Sequence, residues 1–327
     1  MSSQSQPNPA LGIAFMLIGI TAISVNDTVI KFLSGGYPLH QMVFVRSAIG
    51  ICFSLTIVQF EGGWSILRTA RPGLHILRGL MIVVANMSFF TALAALSLAE
   101  TTAIFFISPL LITLLSIPFL GEKVGPYRIG AVIVGLIGVI IVTRPWAGGA
   151  ERDAPLFVYL LPIVGAFAYA TTQLLTRKLG VTSRASALAV YLQGMFLVVG
   201  GLFWLVAGDG RYATQFDSPS MQFLFRAWTW PVDGDLWLFV VLGLVAGVVG
   251  YCMSAAYRMS NAATVAPFEY TGLPLAIFWG WVIFGDLPDL VTATGIALIL
   301  ASGLFVFLRE RQLGRPVAAA RRTQKRM

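Results

Sequence analysis

Charged residues are scarce in this 327-residue chain, where Asp, Glu, Lys and Arg together make up 11% of the total. Ordinary soluble domains contain about 25% charged residues. The hydrophobic content of 57% would leave a water-exposed fold with apolar surface that it could not cover. The shortage of charge therefore excludes an ordinary soluble domain and predicts an integral membrane protein.

Cysteine and histidine are also rare, with two residues of each. Cys52 and Cys252 both lie within apolar segments, which predicts small buried side chains and neither a disulfide nor a metal site. The charge distribution places His40 and His75 at opposite membrane faces, so they are not expected to share a catalytic centre. The sequence contains no HExxH motif, no paired-Asp motif and no nucleotide-binding P-loop. It therefore predicts neither an enzyme nor a bound cofactor.

Apolar segments of membrane-spanning length are abundant. A helix needs about 20 apolar residues to cross roughly 30 Å of hydrocarbon. Ten segments meet this requirement, at about 11–33, 39–60, 75–95, 101–120, 127–143, 156–176, 186–207, 236–257, 262–284 and 290–308. We therefore predict an all-α integral membrane protein with ten transmembrane helices.

The net charge of +8 is concentrated on one side of the predicted bundle. One set of loops and the C-terminal tail carry most of the Lys and Arg residues, seven of them between Arg309 and Arg326. By the positive-inside rule, both termini are predicted to be cytoplasmic. The basic tail is predicted to set this topology and to contact anionic lipid, not nucleic acid.

The second half of the chain repeats features of the first at an offset of 164–165 residues, so that Pro109 recurs as Pro274 and Gly138 as Gly303. Each half has five predicted spans. Because five is odd, the second half enters the membrane in the opposite sense. Inverted repeats are typical of secondary transporters, which bind substrate at the interface between the repeats.

These patterns predict five parts and one long loop. The parts are a cytoplasmic tail (1–10), a first repeat (11–143), a linker (144–155), a second repeat (156–308) and a basic cytoplasmic tail (309–327). The aromatic-rich loop at 208–235 is predicted to be an amphipathic segment at the membrane interface. A lid over a transport path is the alternative for that loop.

Two segments resemble the drug/metabolite transporter superfamily, EamA type. Phe89 to Val142 has a small-residue third helix, a fourth helix with a central proline, and Gly-Glu before a glycine-rich fifth helix. Tyr251 to Phe307 resembles the same unit, with Asp286 in place of the glutamate. The stretch RPGLHILRG, Arg71 to Gly79, is similar to a bacterial branch that includes riboflavin and S-adenosylmethionine permeases. The resemblance implies two inverted five-helix EamA repeats in a bacterial cell inner membrane.

Ionisable side chains within the predicted spans are costly, at least about 2.5 kcal/mol each. Arg78 lies near the cytoplasmic end of its span, which predicts a side chain that snorkels to the interface, with a functional role as the alternative. Asp27, Lys31 and Arg46 are predicted to form one cluster in the outer half of the membrane. The cluster is either a structural ion-pair network or a functional site. In the functional reading, Arg46 or Lys31 meets an anionic substrate group while Asp27 balances the charge or takes up a proton.

Glu269 is predicted to lie about 12 Å into the ninth span, near the membrane midplane. Pro267 and Pro274 free backbone carbonyls there, which requires protein or a water-filled cavity beside them. Glu269 is therefore predicted to bind substrate, and Tyr270 to stack on a planar one; a structural hydrogen bond is the alternative for Glu269. The family resemblance implies a central cavity. The predicted lining residues are polar or aromatic residues at similar depth: Asn26, Asn86, Tyr169, Gln173, Gln193 and Tyr251. The resemblance favours Asn86, Tyr169, Gln173 and Tyr251 among them, and each could instead make an ordinary interhelical hydrogen bond.

The predicted function is secondary active transport of a small polar or aromatic metabolite by alternating access, coupled to protons or to exchange. Candidate substrates are an amino acid, a vitamin such as riboflavin, or a compound of the S-adenosylmethionine class. The alternatives are a drug or lipid flippase or exporter of the same fold, and a non-transport receptor or scaffold. The expected partners are a small-molecule substrate and the lipid bilayer, with the chain as a monomer or homodimer.

Overall fold

The fold is built from helices. The computed structural model describes residues 9–120, 125–147, 154–179, 183–232, 234–259 and 266–312, and no β-strand occurs among them. The α-helices are α1 (Pro9–Leu33), α2 (Leu39–Glu61), α3 (Pro72–Leu93), α4 (Leu98–Phe105), α5 (Ser108–Leu120), α6 (Pro126–Thr143), α7 (Leu156–Leu179), α8 (Ala185–Ala207), α9 (Pro219–Phe225), α10 (Leu236–Met259), α11 (Gly272–Trp279) and α12 (Leu290–Gln312). Most of the predicted tails and linker lie outside the described residues.

Within the described ranges, seven helical segments are long and apolar enough to cross a membrane, which supports a multi-pass membrane protein. They fall on the first four predicted spans and on the sixth, seventh and eighth. Three shorter apolar helices, Ile129–Thr143, Phe268–Phe284 and Leu290–Val306, fall on the fifth, ninth and tenth. The all-helical class is confirmed, whereas the arrangement of ten spans in two repeats stays a prediction.

The fourth predicted span consists of two helices. α4 begins with a capping box, in which the Ser97 hydroxyl accepts a hydrogen bond from the Glu100 backbone N–H at 3.1 Å and the Glu100 carboxylate accepts one from the Ser97 N–H at 3.2 Å. α4 ends at Phe105, and α5 begins at Ser108, immediately before Pro109. Proline lacks a backbone donor and disfavours helical geometry in the preceding residue, so the chain breaks at this point.

The ninth predicted span is irregular as well. A 3₁₀ helix over Ala266–Thr271 leads into α11, which is followed by a π-helical turn over Gly280–Phe284. Pro274, the counterpart of Pro109 in the repeat, again stands in the first turn of the α-helix that follows the irregular stretch. Irregular backbone at membrane depth is tolerated only beside protein or a cavity. Both breaks therefore indicate the interior of the bundle.

Helices from the two halves of the chain pack against each other in pairs. The main pairs are α1 with α10, α3 with α7, α6 with α12, and α2 with α8, and α4 also contacts α11. At one end of the α6–α12 pair, the Arg144 guanidinium pairs with the Asp289 carboxylate and lowers its pKa to about 2. Farther along, a Cβ atom on Gly138 or on Gly295 would lie 2.8 Å from the carbonyl oxygen of the other glycine. The two backbones therefore approach closely because both positions lack a side chain.

We expect Gly138→Ala to lower the thermal unfolding midpoint of the purified protein in detergent. The added methyl group forces α6 and α12 apart, and overpacking of this kind costs about 1–3 kcal/mol. Gly130→Ala, on the same helix, is the matched control, because its Cβ would meet no atom within 4 Å. Alanine is favoured over glycine in a helix by roughly 1 kcal/mol, so the control should unfold at the same or a higher temperature. Equal destabilisation by both substitutions would contradict the close approach.

The long segment at 208–235 packs onto the helix ends. Its helix α9 buries Phe223, which is 1% exposed and lies in one core cluster with residues of α2, α3 and α8. The Gln41 side chain donates to the Thr229 carbonyl at 2.6 Å and accepts from the Thr229 N–H at 3.2 Å. Trp230, in contrast, is 88% exposed. The segment thus has an apolar side that enters the core, which the interfacial prediction did not include.

The prediction that Arg78 snorkels to the interface is wrong. Its side chain is 6% exposed and turns into the bundle. The guanidinium Nε donates to the Thr176 hydroxyl of α7 at 2.7 Å, and Nη1 donates to the Leu188 carbonyl of α8 at 3.3 Å. The two hydrogen-bonding groups on facing helices hold the cation inside, and its depth along α3 could not reveal them.

Candidate functional site

Arg46 occupies the point where α1, α2 and α3 meet. Its side chain is 6% exposed, and its guanidinium donates to two amide oxygens on different helices. Nη1 donates to Asn26 Oδ1 on α1 at 3.2 Å, and Nη2 donates to Asn86 Oδ1 on α3 at 2.6 Å. A single cation therefore holds two polar side chains together within an apolar chain.

Asp27 joins this arrangement through an amide. Asn26 Nδ2 donates to Asp27 Oδ1 at 3.0 Å, while the oxygen of the same amide accepts from Arg46. The carboxylate is half-buried and within electrostatic range of the guanidinium. We call Asp27, Asn26, Arg46 and Asn86 the Arg46 network. Because a neutral amide relays the interaction, the carboxylate and the guanidinium are each left with capacity for another partner.

Lys31 does not take part in that network. Its ammonium donates to the carbonyl oxygens of Leu93 at 3.3 Å and Leu96 at 2.6 Å, at the C-terminal end of α3, and lies 5.3 Å from the centre of the Phe284 ring. Cations near helix C-termini are stabilised by the exposed carbonyl groups there. The predicted cluster of three charged residues is therefore corrected to Asp27 and Arg46, with Lys31 closing the end of α3.

Glu269 lies in the 3₁₀ helix before α11 and is half-buried. Its carboxyl group is within electrostatic range of the Tyr169 hydroxyl of α7 and of the neighbouring Tyr270 hydroxyl. The Tyr169 hydroxyl also accepts a hydrogen bond from Gln173 Nε2 at 2.6 Å. Three of the predicted lining residues therefore lie in one region. Tyr169 and Gln173 are on α7, and Glu269 is in the 3₁₀ helix before α11.

The other two tyrosines of the predicted cavity are placed differently. The Tyr270 side chain is 9% exposed, its ring lies 5.4 Å from that of Phe106, and its hydroxyl packs against Gly303 of α12. Tyr251 is 37% exposed, and its ring meets Phe15 of α1 edge-on at 6.0 Å. Tyr270 therefore fills space between helices, and Tyr251 lies at the edge of the α1–α10 pair.

A row of aromatic rings joins the Arg46 network to Tyr169. The guanidinium of Arg46 lies 5.4 Å from the centre of the Phe90 ring and 5.3 Å from that of Phe196, both within the range of cation–π attraction. From Phe90 the row continues through Phe89, Phe105 and Tyr169, with successive ring centroids 5.2, 5.1 and 5.4 Å apart. A buried cation and a carboxyl group are therefore connected through edge-on and tilted rings.

Sequence reasoning missed these phenylalanines because aromatic residues in apolar spans are usually ordinary core residues. One signal was present in the spacing. Phe90 follows Asn86 by one helical turn on α3, so the two side chains lie on the same face. Phe196, on α8, had no comparable signal, since its contact with Arg46 depends on how two distant helices pack.

A small crevice lies beside the Arg46 network. Its lining comes from α2, α3 and α8 and consists of His40, Val43, Val83, Met87, Phe196, Val199, Gly200 and Phe203. Its volume of about 10 Å³ is close to what one water molecule requires. Pockets for small molecules usually measure about 300–1,000 Å³. A metabolite could enter this region only if the surrounding helices moved apart.

Comparison with known proteins agrees with the helical architecture. Residues 10–144 match the model of the EamA-like transporter family. A solved structure titled "Crystal structure of protein" superposes with a TM-score of 0.63 and covers 91% of this chain and 99% of its own. Its sequence is 22% identical, so the likeness concerns the fold alone.

Two relatives are similar over almost the whole chain. The riboflavin transporter of Rhizobium johnstonii is 29% identical over 316 residues, which cover 96% of each protein. The S-adenosylmethionine uptake transporter of Rickettsia conorii is 24% identical over 301 residues, covering 92% of this chain and 94% of the relative. The two names agree with the two permease types that the segment from Arg71 to Gly79 resembles.

Proposed function

We propose that this chain, which carries an EamA-like transporter domain over residues 10–144, is a secondary transporter that works by alternating access. It moves a small polar or aromatic metabolite across the bacterial inner membrane, with both termini in the cytoplasm. Relatives named as transporters point away from an enzyme. Coupling to protons or to exchange with a second solute completes the proposal.

The observation that carries this proposal is the buried Arg46 network and its aromatic connection to Tyr169 and Glu269. Ionisable groups inside a membrane bundle are expensive, and they usually line substrate or ion pathways. Here a guanidinium and a carboxyl group come from opposite halves of the chain, with aromatic rings between them. Substrate binding at the interface between halves is the arrangement that secondary transporters use.

Helix packing supports the proposed inverted repeat. If each helix of the first half is exchanged for its counterpart in the second, the α1–α10 pair becomes the α7–α3 pair. The α2–α8, α6–α12 and α4–α11 pairs are converted into themselves, and all of these pairs are in contact. The rings of Phe106 and Tyr270, which are counterparts at an offset of 164, lie 5.4 Å apart. Contact between counterparts is expected near the pseudo-two-fold axis of such a repeat.

The chemistry of the site favours a planar solute with polar edges. Phenylalanine rings offer stacking surfaces, while Arg46, Asn86 and Gln173 offer hydrogen bonds. Riboflavin and S-adenosylmethionine, the solutes named for the two relatives, each combine a flat heterocycle with a polar chain. We therefore propose these two compounds as the first candidates for this chain.

Uptake into proteoliposomes tests the proposal. Purified protein is reconstituted into vesicles loaded with unlabelled riboflavin or S-adenosylmethionine. The same solute in labelled form is added outside, and its accumulation inside the vesicles is followed in the absence of ATP. A carrier that alternates between two open states should give transient accumulation of label above equilibrium, and empty vesicles should not. Absence of counterflow for both compounds and for a panel of amino acids, vitamins and nucleosides would reject the proposed function.

A further inference from the structure

The second buried guanidinium, that of Arg78, lacks an acidic partner among the described residues. Its hydrogen bonds go to the Thr176 hydroxyl and the Leu188 carbonyl, which are both neutral groups. They use Nε and Nη1 and leave Nη2, for which the described residues supply no acceptor. A buried cation without a counter-charge is costly, and ionisable groups within membrane spans usually mark substrate or ion pathways.

His75 lies one helical turn before Arg78 on the same face of α3 and is 4% exposed. Its Nε2 atom is 3.4 Å from the Ser183 hydroxyl, and its ring lies 4.5 Å from that of Tyr191. Its Nδ1 atom is buried and has no hydrogen-bond partner among the described residues. If Ser183 donates to Nε2, the ring proton stands on Nδ1, which makes it a buried donor without an acceptor.

In that tautomer, one face of α3 carries two groups with spare donor capacity, the His75 Nδ1 atom and the Arg78 guanidinium, three residues apart. Both could be satisfied by one oxyanion, which would also supply the counter-charge that Arg78 lacks. A water molecule could satisfy the His75 donor but not the charge. The arrangement therefore fits an anionic group better than a neutral one.

The position of these donors relates them to the Arg46 network. Arg78 precedes Asn86 by eight residues on α3, and its partner Leu188 precedes Phe196 by eight residues on α8. Eight residues correspond to about 12 Å of helix rise. The guanidinium groups of Arg78 and Arg46 therefore lie at two successive depths along the interface between α3 and α8.

We propose that Arg78 and His75 form a binding site for a carboxylate or phosphate group of the transported solute, one level away from Arg46. The inference rests on the proposed transport function, to which it adds a substrate class: solutes with an acidic group. The solute's acid group moves between the two guanidinium levels as the helices rearrange. A neutral solute has no acidic group that could bind at Arg78 and His75.

Anion-dependent thermal stability of the purified protein in detergent tests the site without a transport assay. The probes are sodium acetate and sodium phosphate, compared with sodium chloride at equal ionic strength. We expect at least one probe to raise the unfolding midpoint by several degrees in the unmodified protein and in Arg78→Lys. Arg78→Gln should lose that increase, whereas Arg68→Gln, which changes an exposed arginine, should keep it.

A second variant tests the same site in case Arg78→Gln does not fold. His75→Phe keeps a ring against Tyr191 but removes the Nδ1 donor, and it should weaken the response to the same anion. The site is rejected if neither probe differs from chloride, or if the increase survives Arg78→Gln. Failure of vesicle counterflow with intact anion binding would instead reject only the transport function.

Competition experiments decide whether the site binds an acidic group of the transported solute or a free anion. S-adenosylmethionine, which has a carboxylate, should remove the stabilisation by the simple anion, and riboflavin, which has no acidic group, should not. If S-adenosylmethionine and every acidic solute found in the transport panel leave that stabilisation unchanged, the site belongs to a free anion and the assignment to the solute is overturned.

Discussion

Glu269→Gln is expected to reduce the initial rate of solute uptake by about 10- to 100-fold. A hydrogen bond to a charged group contributes about 1.5–3 kcal/mol, and each 1.4 kcal/mol corresponds to roughly a factor of ten. Glutamine keeps the size and shape of the side chain but can neither carry the charge nor exchange a proton. Because Glu269 is within electrostatic range of the Tyr169 hydroxyl, the change should act on the solute or coupling-ion site.

The measurement is uptake into proteoliposomes with and without an imposed pH gradient. Asp209→Asn is the matched control, since Asp209 is an exposed loop carboxylate that pairs with Arg211 at 3.1 Å. The control should transport at the rate of the unmodified protein. Both variants should keep the unmodified unfolding midpoint. Full transport with unchanged pH dependence in Glu269→Gln would contradict a role for this carboxyl group in the site.

The positions of the helices could be predicted from hydropathy because apolar length reports membrane crossing directly. The irregular stretches could be anticipated only in part. Pro274 indicated where regular hydrogen bonding is lost, and Pro109 is its counterpart in the repeat. Neither indicated that one break would follow a capped short helix and the other a 3₁₀ helix. Those details depend on which neighbouring groups take up the freed backbone atoms.

For the candidate site as well, the sequence predicted some contacts and missed others. Depth along the helices suggested that Asp27 and Arg46 lie near each other, and the structure joins them through Asn26. Depth and helical face also suggested Lys31, but its flexible side chain reaches the carbonyl groups at the end of α3. The prediction for Arg78 was wrong for a related reason. A long basic side chain can turn towards water or towards the protein, and only the facing helices decide between these directions.

Replacement of Arg46 separates the two interpretations of its network. Arg46→Gln should lower both transport and the unfolding midpoint, because Asn26 and Asn86 each lose a charged donor. Leaving a buried polar group unsatisfied costs about 1–3 kcal/mol. Exchanging Asp27 and Arg46 should restore neither property, since the amide between them leaves no direct ion pair to rebuild.

Arg46→Lys is the decisive variant. Lysine keeps the positive charge and can donate to one of the two amides, but it lacks the planar fork that reaches both. We therefore expect a smaller loss of stability than in Arg46→Gln, together with a loss of transport of at least about tenfold, the effect of roughly 1.4 kcal/mol. Unfolding midpoints in detergent and initial uptake rates in proteoliposomes give the two readouts.

Arg226→Lys is the matched control for that substitution. Arg226 also donates to two neutral oxygens, the carbonyls of Ser34 at 3.2 Å and Gly35 at 2.6 Å, but it lies in the segment after α9. Its replacement should change stability by a similar amount and leave transport intact. If Arg46→Lys and Arg226→Lys behave alike, the Arg46 network holds helices together and nothing more. If only Arg46→Lys stops transport, the fork geometry of this guanidinium is required for the solute, because charge and fold are then both preserved.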